Sequence, residues 1–272
     1  MNTRVIDTQQ IVEAFHRDGF VHIPEVLAKA EIEALKAKTD ELLDDPDLQA
    51  RFNVERHDPQ YVQTHQTDAG EKLPFILRNT IELDPLFSDM LVREPILGLA
   101  EALVGSDCRF CGQNVLRNLA GVAIDIWHVD GALHFPLPED VPRHEFRARP
   151  PVLWLTVQMA LSDIDSIEHG PTQYIPGSHL SGRHPNSQQD PEFEGRGPVS
   201  VFCKAGDIYL QDPQCWHRGA PNTSSRTRYL MQSQYAVNWA YCRFGWMNRV
   251  PATEQSLRSG SDRLLSLLGH RR

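Results

Sequence analysis

Apolar residues recur at helical spacing through much of the first hundred positions and in short alternating runs after them. Ile11, Val12 and Phe15 share one face of a segment that Thr8 is placed to cap. "GFVHIPEVL" reads as a short strand and turn. Between Ala28 and Leu43, Ile32, Leu35, Leu42 and Leu43 line one side while Glu and Lys fill the rest, which predicts an amphipathic helix. Residues 44–70 are polar and weakly patterned and read as a loop. Helical periodicity returns over Asp84–Gly105.

After Gly105 the pattern changes. Seven short runs rich in Val, Ile, Leu, Phe and Tyr are separated by Gly, Pro, Asn and Asp: "CRFCGQNVLRNL", "AIDIWHVD", "PVLWLTVQMAL", "TQYIPGS", "VSVFCKAGDIYLQD", "WHRGAPN" and "RYLMQSQYAV". Runs of this kind predict an all-β sandwich or barrel. The tail is helical again, and no internal repeat or linker divides the chain. The expectation is one domain over 1–272: a mostly helical part (1–105), a β core (106–240) and a helical tail (241–272). Two long proline-bearing loops, Gly131–Pro151 and Leu180–Pro198, are where ligand contacts would concentrate on a β scaffold.

Composition narrows the function. The 272 residues carry a net charge of −9, with 40% hydrophobic and 23% charged residues. That balance argues against nucleic acid or an anionic membrane as partner, without excluding a local basic site. No apolar run approaches the roughly 20 residues needed to span a bilayer. The N-terminal stretch lacks the basic-then-apolar order of a signal peptide, so the expected location is cytoplasmic, as a monomer or homodimer. Five scattered cysteines do not form a disulfide framework. Cys108 and Cys111 read as buried strand residues, since neither a second pair nor nearby histidines complete a zinc site.

The chemistry gathers around "DIWHVDGALHF" (Asp125–Phe135). On a strand, residues i and i+2 point to one face. Ile126, His128 and Asp130 therefore share a face, expected to look into the barrel, with Trp127 and Val129 opposite. An imidazole and a carboxylate so placed can grip one metal ion, and a third ligand completes the 2-His-1-carboxylate set of non-haem Fe(II) oxygenases. A strand-end His hydrogen-bonded to a nearby Asp gives the same spacing. Downstream, "GDIYLQDPQCWHRGAPNTSSRTRYL" supplies His217 as the candidate third ligand, although an isolated histidine there also fits a packed core position. Arg226 and Arg228 follow at the start of a β run, and an arginine entering a buried strand needs an anion or a surface acid.

These stretches together resemble the phytanoyl-CoA dioxygenase-like family of Fe(II)/2-oxoglutarate-dependent oxygenases. The resemblance rests on "WHVDG", "HGPTQYIPGSH", "GDIYLQD…WHRGAPNTS…R", the early "FHRDGFVHIPEVL" and the late "LRSGSDRLLSLLG", and it covers nearly the whole chain. It implies a double-stranded β-helix (jelly roll, cupin-like) with flanking helices. It implies Fe(II) held by His128, Asp130 and His217, with 2-oxoglutarate and O2 as cosubstrates and Arg228 on the far carboxylate of 2-oxoglutarate. It also implies release of succinate and CO2 while a C–H bond of a small-molecule substrate is oxidised.

Other residues are placed with less to hold them. Gln113 lies on the strand before His128, where the family resemblance implies a polar residue that reaches the cosubstrate. Thr156 and Gln158 share a face of "VLWLTVQMAL" with Trp154 and are expected in the pocket, Thr156 toward the cosubstrate and Gln158 and Trp154 toward substrate. His134 and Arg78 are further substrate-side candidates. The basic residues of the Gly131–Pro151 loop are read first as solvated charges and second as a lid contacting an anionic substrate, with Arg117 and Arg183 weaker candidates of the same kind. Asn222 is expected to shape the turn after His217. Gly219 departs from relatives that carry a small hydroxyl residue there, which shifts that contact toward Thr156 or Gln113. Because Asp130 is a carboxylate, chloride has no obvious position, and hydroxylation is expected over halogenation. The alternatives are a non-catalytic jelly-roll binding protein, or an oxygenase whose outcome is desaturation, epimerisation or ring closure. A zinc hydrolase is disfavoured by the lack of an HExxH helix.

Overall fold

The computed structural model describes residues 7–51, 61–66, 70–186, 191–245, 247 and 253–270. The strands are β1 (Phe20–Ile23), β2 (Val62–Gln66), β3 (Lys72–Arg78), β4 (Arg109–Asn118), β5 (Ile124–His128), β6 (Trp154–Ala160), β7 (Thr172–Tyr174), β8 (Val199–Ser200), β9 (Ile208–Gln211), β10 (His217–Gly219) and β11 (Arg228–Ala236). The helices are α1 (Thr8–Asp18), α2 (Lys29–Leu43), α3 (Pro46–Ala50), α4 (Pro85–Asp89), α5 (Ile96–Val104), α6 (Asn238–Arg243), α7 (Glu254–Ser259) and α8 (Asp262–Leu267). A seven-stranded sheet, β1-β9-β6-β11-β4-β3-β2, pairs face to face with a four-stranded sheet, β5-β10-β7-β8. The pairings are antiparallel, giving the expected double-stranded β-helix. No helix among the described residues is long and apolar enough to cross a membrane.

Alternation along the strands gives the large sheet two different faces. Leu155, Val157 and Met159 of β6, Val115 of β4 and Met231 and Tyr235 of β11 enter the main hydrophobic core. Phe15 of α1, Leu35 of α2, Phe87 of α4, Leu97 of α5 and Leu264 of α8 close that core from outside. Each such side chain contributes about 1.5–3 kcal/mol by leaving water. The residues between them, Thr156, Gln158, Asn114, Asn118, Gln232 and Gln234, face the small sheet across a cavity. The helices thus stabilise one face and leave the other to polar groups.

Three expectations are corrected. The part before residue 106 holds more than helices and the short strand β1: β2 and β3 also join the large sheet. The segment read as a loop over 44–70 contains α3 and β2, while residues 52–60 and 67–69 lie outside the described residues. As a five-residue edge strand, β2 buries little and carries little apolar signal. Asp7, not Thr8, caps α1, its side chain accepting from the Gln10 N–H, and Gly19 ends the helix in the left-handed region at φ 83°.

The two long loops dock on each other. Leu137 N–H donates to the Gly182 carbonyl at 3.2 Å, and His144 N–H to that of Leu180 at 2.8 Å. Arg183 binds the carbonyls of Pro138 (2.6 Å) and Pro142 (3.1 Å), so its charge serves the loops rather than a ligand. Arg117 is spent on α2, reaching Asp40 at 3.0 Å and Asp44 at 2.8 Å.

Candidate metal centre

β5 and β10 are neighbours in the small sheet, and their register sets His128 directly opposite His217. The two imidazole centroids are 4.2 Å apart. Asp130 follows two residues after His128, where the strand has ended and the Asp130 N–H donates to the Pro213 carbonyl at 2.8 Å. One ligand atom from each of these three residues lies within 4.8 Å of the others. Asp130 Oδ1 is 3.7 Å from His128 Nε2 and 3.6 Å from His217 Nε2.

Backbone carbonyls decide which nitrogens are available. His128 Nδ1 is 2.7 Å from the Ile126 carbonyl and His217 Nδ1 is 2.8 Å from the Cys215 carbonyl. A carbonyl only accepts, so each neutral ring holds its proton on Nδ1 and turns the Nε2 lone pair toward Asp130. Two lone pairs and a carboxylate oxygen converging in this way suit a divalent metal with positions left open.

Charge acts in the same sense. Burial pushes the Asp130 carboxyl upward, but His217 and His128 outweigh it and hold the group below the usual carboxylate range. Burial lowers the His217 imidazole, and Asp130 overcomes that and raises it. Burial and the neighbouring His217 lower His128.

A cavity of about 200 Å³ opens from these three residues between the sheets. Arg228 stands on its floor, 4% exposed, with Nη2 donating to Thr172 Oγ1 at 3.0 Å. Its Nε has no hydrogen-bond partner, and it makes no ion pair among the described residues. Arg226, by contrast, is half exposed and meets Asp165 at 3.4 Å. Thr156 Oγ1, Gln158 Oε1 and Asn118 Oδ1 are likewise buried without partners. Four of the seven such atoms among the described residues therefore line one cavity, which marks it as built for a polar ligand.

The residues expected around this site divide. His128, Asp130, His217, Arg228, Thr156, Gln158 and Arg78 line the cavity, Arg78 also donating to Gln63 Oε1. Gln113 does not: it sits on the helix-facing side of β4, accepting from Thr80 Oγ1 at 2.7 Å and donating to the Phe87 carbonyl at 2.9 Å. Its neighbour Asn114 takes the cavity side, one residue on in a period-two pattern. Trp154 and His134 also lie apart. Indole Nε1 donates to His134 Nε2 at 3.3 Å, beside a small separate hollow lined by His16, His144, His179 and Asp212.

Ile126 does not point into the barrel interior but is 75% exposed. β5 is an edge strand, and its buried face is the other one, where Trp127 and Val129 pack on Ile175, Phe193 and Trp216. Asn222 shapes its turn as expected, donating to the carbonyls of Asn118 (3.0 Å) and Arg226 (2.6 Å). Gly219 lines the cavity, and a Cβ there would meet Ile124 O at an ordinary 3.6 Å, so the missing hydroxyl is not excluded by space.

Sequence reasoning passed over Thr172, Asn114, Gln232, Gln234 and Gln211. The strand pattern of "RYLMQSQYAV" carries the signal for two of them: Arg228, Leu230, Gln232 and Gln234 fall on one face.

A family model described as phytanoyl-CoA dioxygenase matches residues 15–230. The chain belongs to the phytanoyl-CoA dioxygenase family. A member of that description from Arabidopsis thaliana is 23% identical over 291 residues, covering 91% of this chain and 95% of that one. Among solved structures, the epimerase SnoN in complex with Fe3+, alpha ketoglutarate and nogalamycin RO is similar with a TM-score of 0.61 and 22% identity, over 84% of this chain and 83% of that one. HygX from Streptomyces hygroscopicus, with nickel and 2-oxoglutarate bound, gives a TM-score of 0.62 at 17% identity, over 87% and 88% of the two chains. These likenesses fix the fold of this family member.

Proposed function

We propose that this protein is an Fe(II)- and 2-oxoglutarate-dependent dioxygenase that hydroxylates a C–H bond of a hydrophilic small molecule. The observation that carries the reading is one cavity holding both a His128–Asp130–His217 cluster and a buried guanidinium, Arg228, that pairs with no acid among the described residues. The donor set suits iron, and the cationic floor suits a dicarboxylate. Membership of the family and relatives crystallised with iron and 2-oxoglutarate support the same cofactors.

In this reading His128 Nε2, Asp130 Oδ1 and His217 Nε2 hold the iron. Iron bound there, with 2-oxoglutarate and O2, would supply the oxidising chemistry that yields succinate and CO2. Arg228 receives the far carboxylate of 2-oxoglutarate as a charged fork, with Thr172 fixing one arm of that fork. Thr156 offers its unpartnered hydroxyl on the same floor. The Nδ1 hydrogen bonds of both histidines keep the rings turned toward the metal.

The substrate end is polar. Asn114, Gln232 and Gln234 extend along β4 and β11 beyond Leu116 and Leu230, half-buried and facing the cavity. Carboxamides in a row both donate and accept, which favours hydroxyl- or amide-bearing molecules over an acyl chain. Hydroxylation is the proposed outcome. Epimerisation is the alternative that a solved relative named as an epimerase brings forward.

The test is a metabolite screen scored by succinate release from 2-oxoglutarate under Fe(II) and O2, with product mass measured. Stimulation by polyhydroxylated or amide-bearing compounds and a product one oxygen atom heavier are expected. Products isomeric with substrate would replace hydroxylation by epimerisation. No Fe(II)-dependent succinate under any condition would sink the enzymatic reading.

A further inference from the structure

Behind the metal cluster lies a carboxamide that the proposed mechanism has not used. Gln211 ends β9 and is 1% exposed. Its Nε2 is 3.1 Å from Asp130 Oδ2 and 3.0 Å from His217 Nε2. Its Oε1 accepts from Tyr174 Oη at 2.7 Å and from Gln158 Nε2 at 2.7 Å. The orientation of this amide is determined by chemistry. An ionised carboxylate only accepts, so the group facing Asp130 must be the NH2, and the oxygen must face the two donors. Tyr174 is itself fully buried and stacked on Phe20 at 4.4 Å, and burial holds its phenol protonated.

We propose that Gln211 is a positioning residue for Asp130, and that Tyr174 and Gln158 set the direction of its amide. The inference rests on the metal-ligand reading above. With one Gln211 N–H on Oδ2, Asp130 offers Oδ1, the oxygen that faces both Nε2 atoms, while the second N–H, now 3.0 Å from the His217 Nε2 lone pair, would give up that contact to a bound metal. A carboxylate held this way would bind a metal through one oxygen, which would leave more of the metal's positions to other ligands. Released from Gln211, it is free to turn and present both oxygens, or to leave the cluster.

The experiment is Co(II) binding to the metal-free protein by chelator competition, read together with cobalt absorption. It is run on wild type, Gln211→Leu, Tyr174→Phe, the double variant and His217→Ala. Gln211→Leu is expected to weaken Co(II) binding about 10–100-fold, the range typical for a group that orients a metal ligand. Tyr174→Phe keeps the ring stack and removes one donor, so a loss of about 2–10-fold is expected. Because Tyr174 acts through Gln211, its effect should vanish in the Gln211→Leu background.

Gln211→Leu binding Co(II) as wild type does, or a Tyr174→Phe effect that persists undiminished in the double variant, overturns the proposal. His217→Ala separates this failure from a wider one. If His217→Ala loses the metal while Gln211→Leu keeps it, only the role of Gln211 falls. If His217→Ala also binds normally, the ligand assignment falls. Should Gln211→Leu not fold, Tyr174→Phe decides alone: weakened binding supports the proposal and unchanged binding overturns it.

Discussion

A buried guanidinium with no carboxylate partner costs free energy unless a ligand supplies the charge, and among the described residues Arg228 is in that position. The hydroxyl of Thr172 is a neutral partner and does not neutralise it. Arg228→Lys keeps a positive charge but loses the planar fork, so the KM for 2-oxoglutarate is expected to rise about 10–100-fold, the range for lost charged hydrogen bonds. Arg226→Lys, on an exposed side chain already facing Asp165, should leave that KM unchanged. Steady-state kinetics with varied 2-oxoglutarate check both, and equal effects of the two substitutions would remove Arg228 from the cosubstrate site. The same one-residue sensitivity explains Gln113. A strand turns its faces over at each step, and a carboxamide at 113 serves the helices while one at 114 serves the cavity.

At the scale of elements, what the sequence made legible was the part with a period. β4, β5, β6 and β11 lie in runs long enough to reveal themselves, and His128 and Asp130 come as a pair at the end of one of them. His217 needed the resemblance, because an isolated histidine in a short strand carries no periodic signal. Its partner across the sheet becomes evident only from the β5–β10 register. β2 was illegible because a short edge strand exposes alternate residues. Gln211 was illegible for a different reason. Its partners Asp130 and Tyr174 stand 81 and 37 residues away, and nothing local in "IYLQDP" distinguishes a hydrogen-bonding hub from a strand end. Ile126 was misplaced because the buried side of an edge strand depends on what covers it, here Phe193 of the second long loop.

The whole molecule carries a pH dependence that does not involve the metal ligands. Burial lowers His16, with Arg149 adding to the effect, and burial also lowers His134 and His179, each from 6.5 to about 4. Burial raises Asp212 from 3.8 to about 7. Between about pH 4 and 6.5 the unfolded chain binds one more proton at each of three histidines, and the folded chain keeps one more at Asp212. The balance, three less one, favours the unfolded state as acid is added. The metal-free protein should therefore lose stability as pH falls from 6.5 toward 4. His134→Gln should reduce that slope by about one proton. Urea denaturation midpoints across this window check the sign, and a stability that rises on acidification contradicts it.

The central claim is that His128, Asp130 and His217 hold one iron and that Arg228 seats 2-oxoglutarate beside it. Anaerobic absorption spectroscopy tests it most directly. Protein mixed with Fe(II) should develop a weak visible charge-transfer band only when 2-oxoglutarate is added. That band should disappear in His217→Ala and require a higher 2-oxoglutarate concentration in Arg228→Lys. A wild-type spectrum without the band, or an undiminished band in His217→Ala, would contradict the assignment.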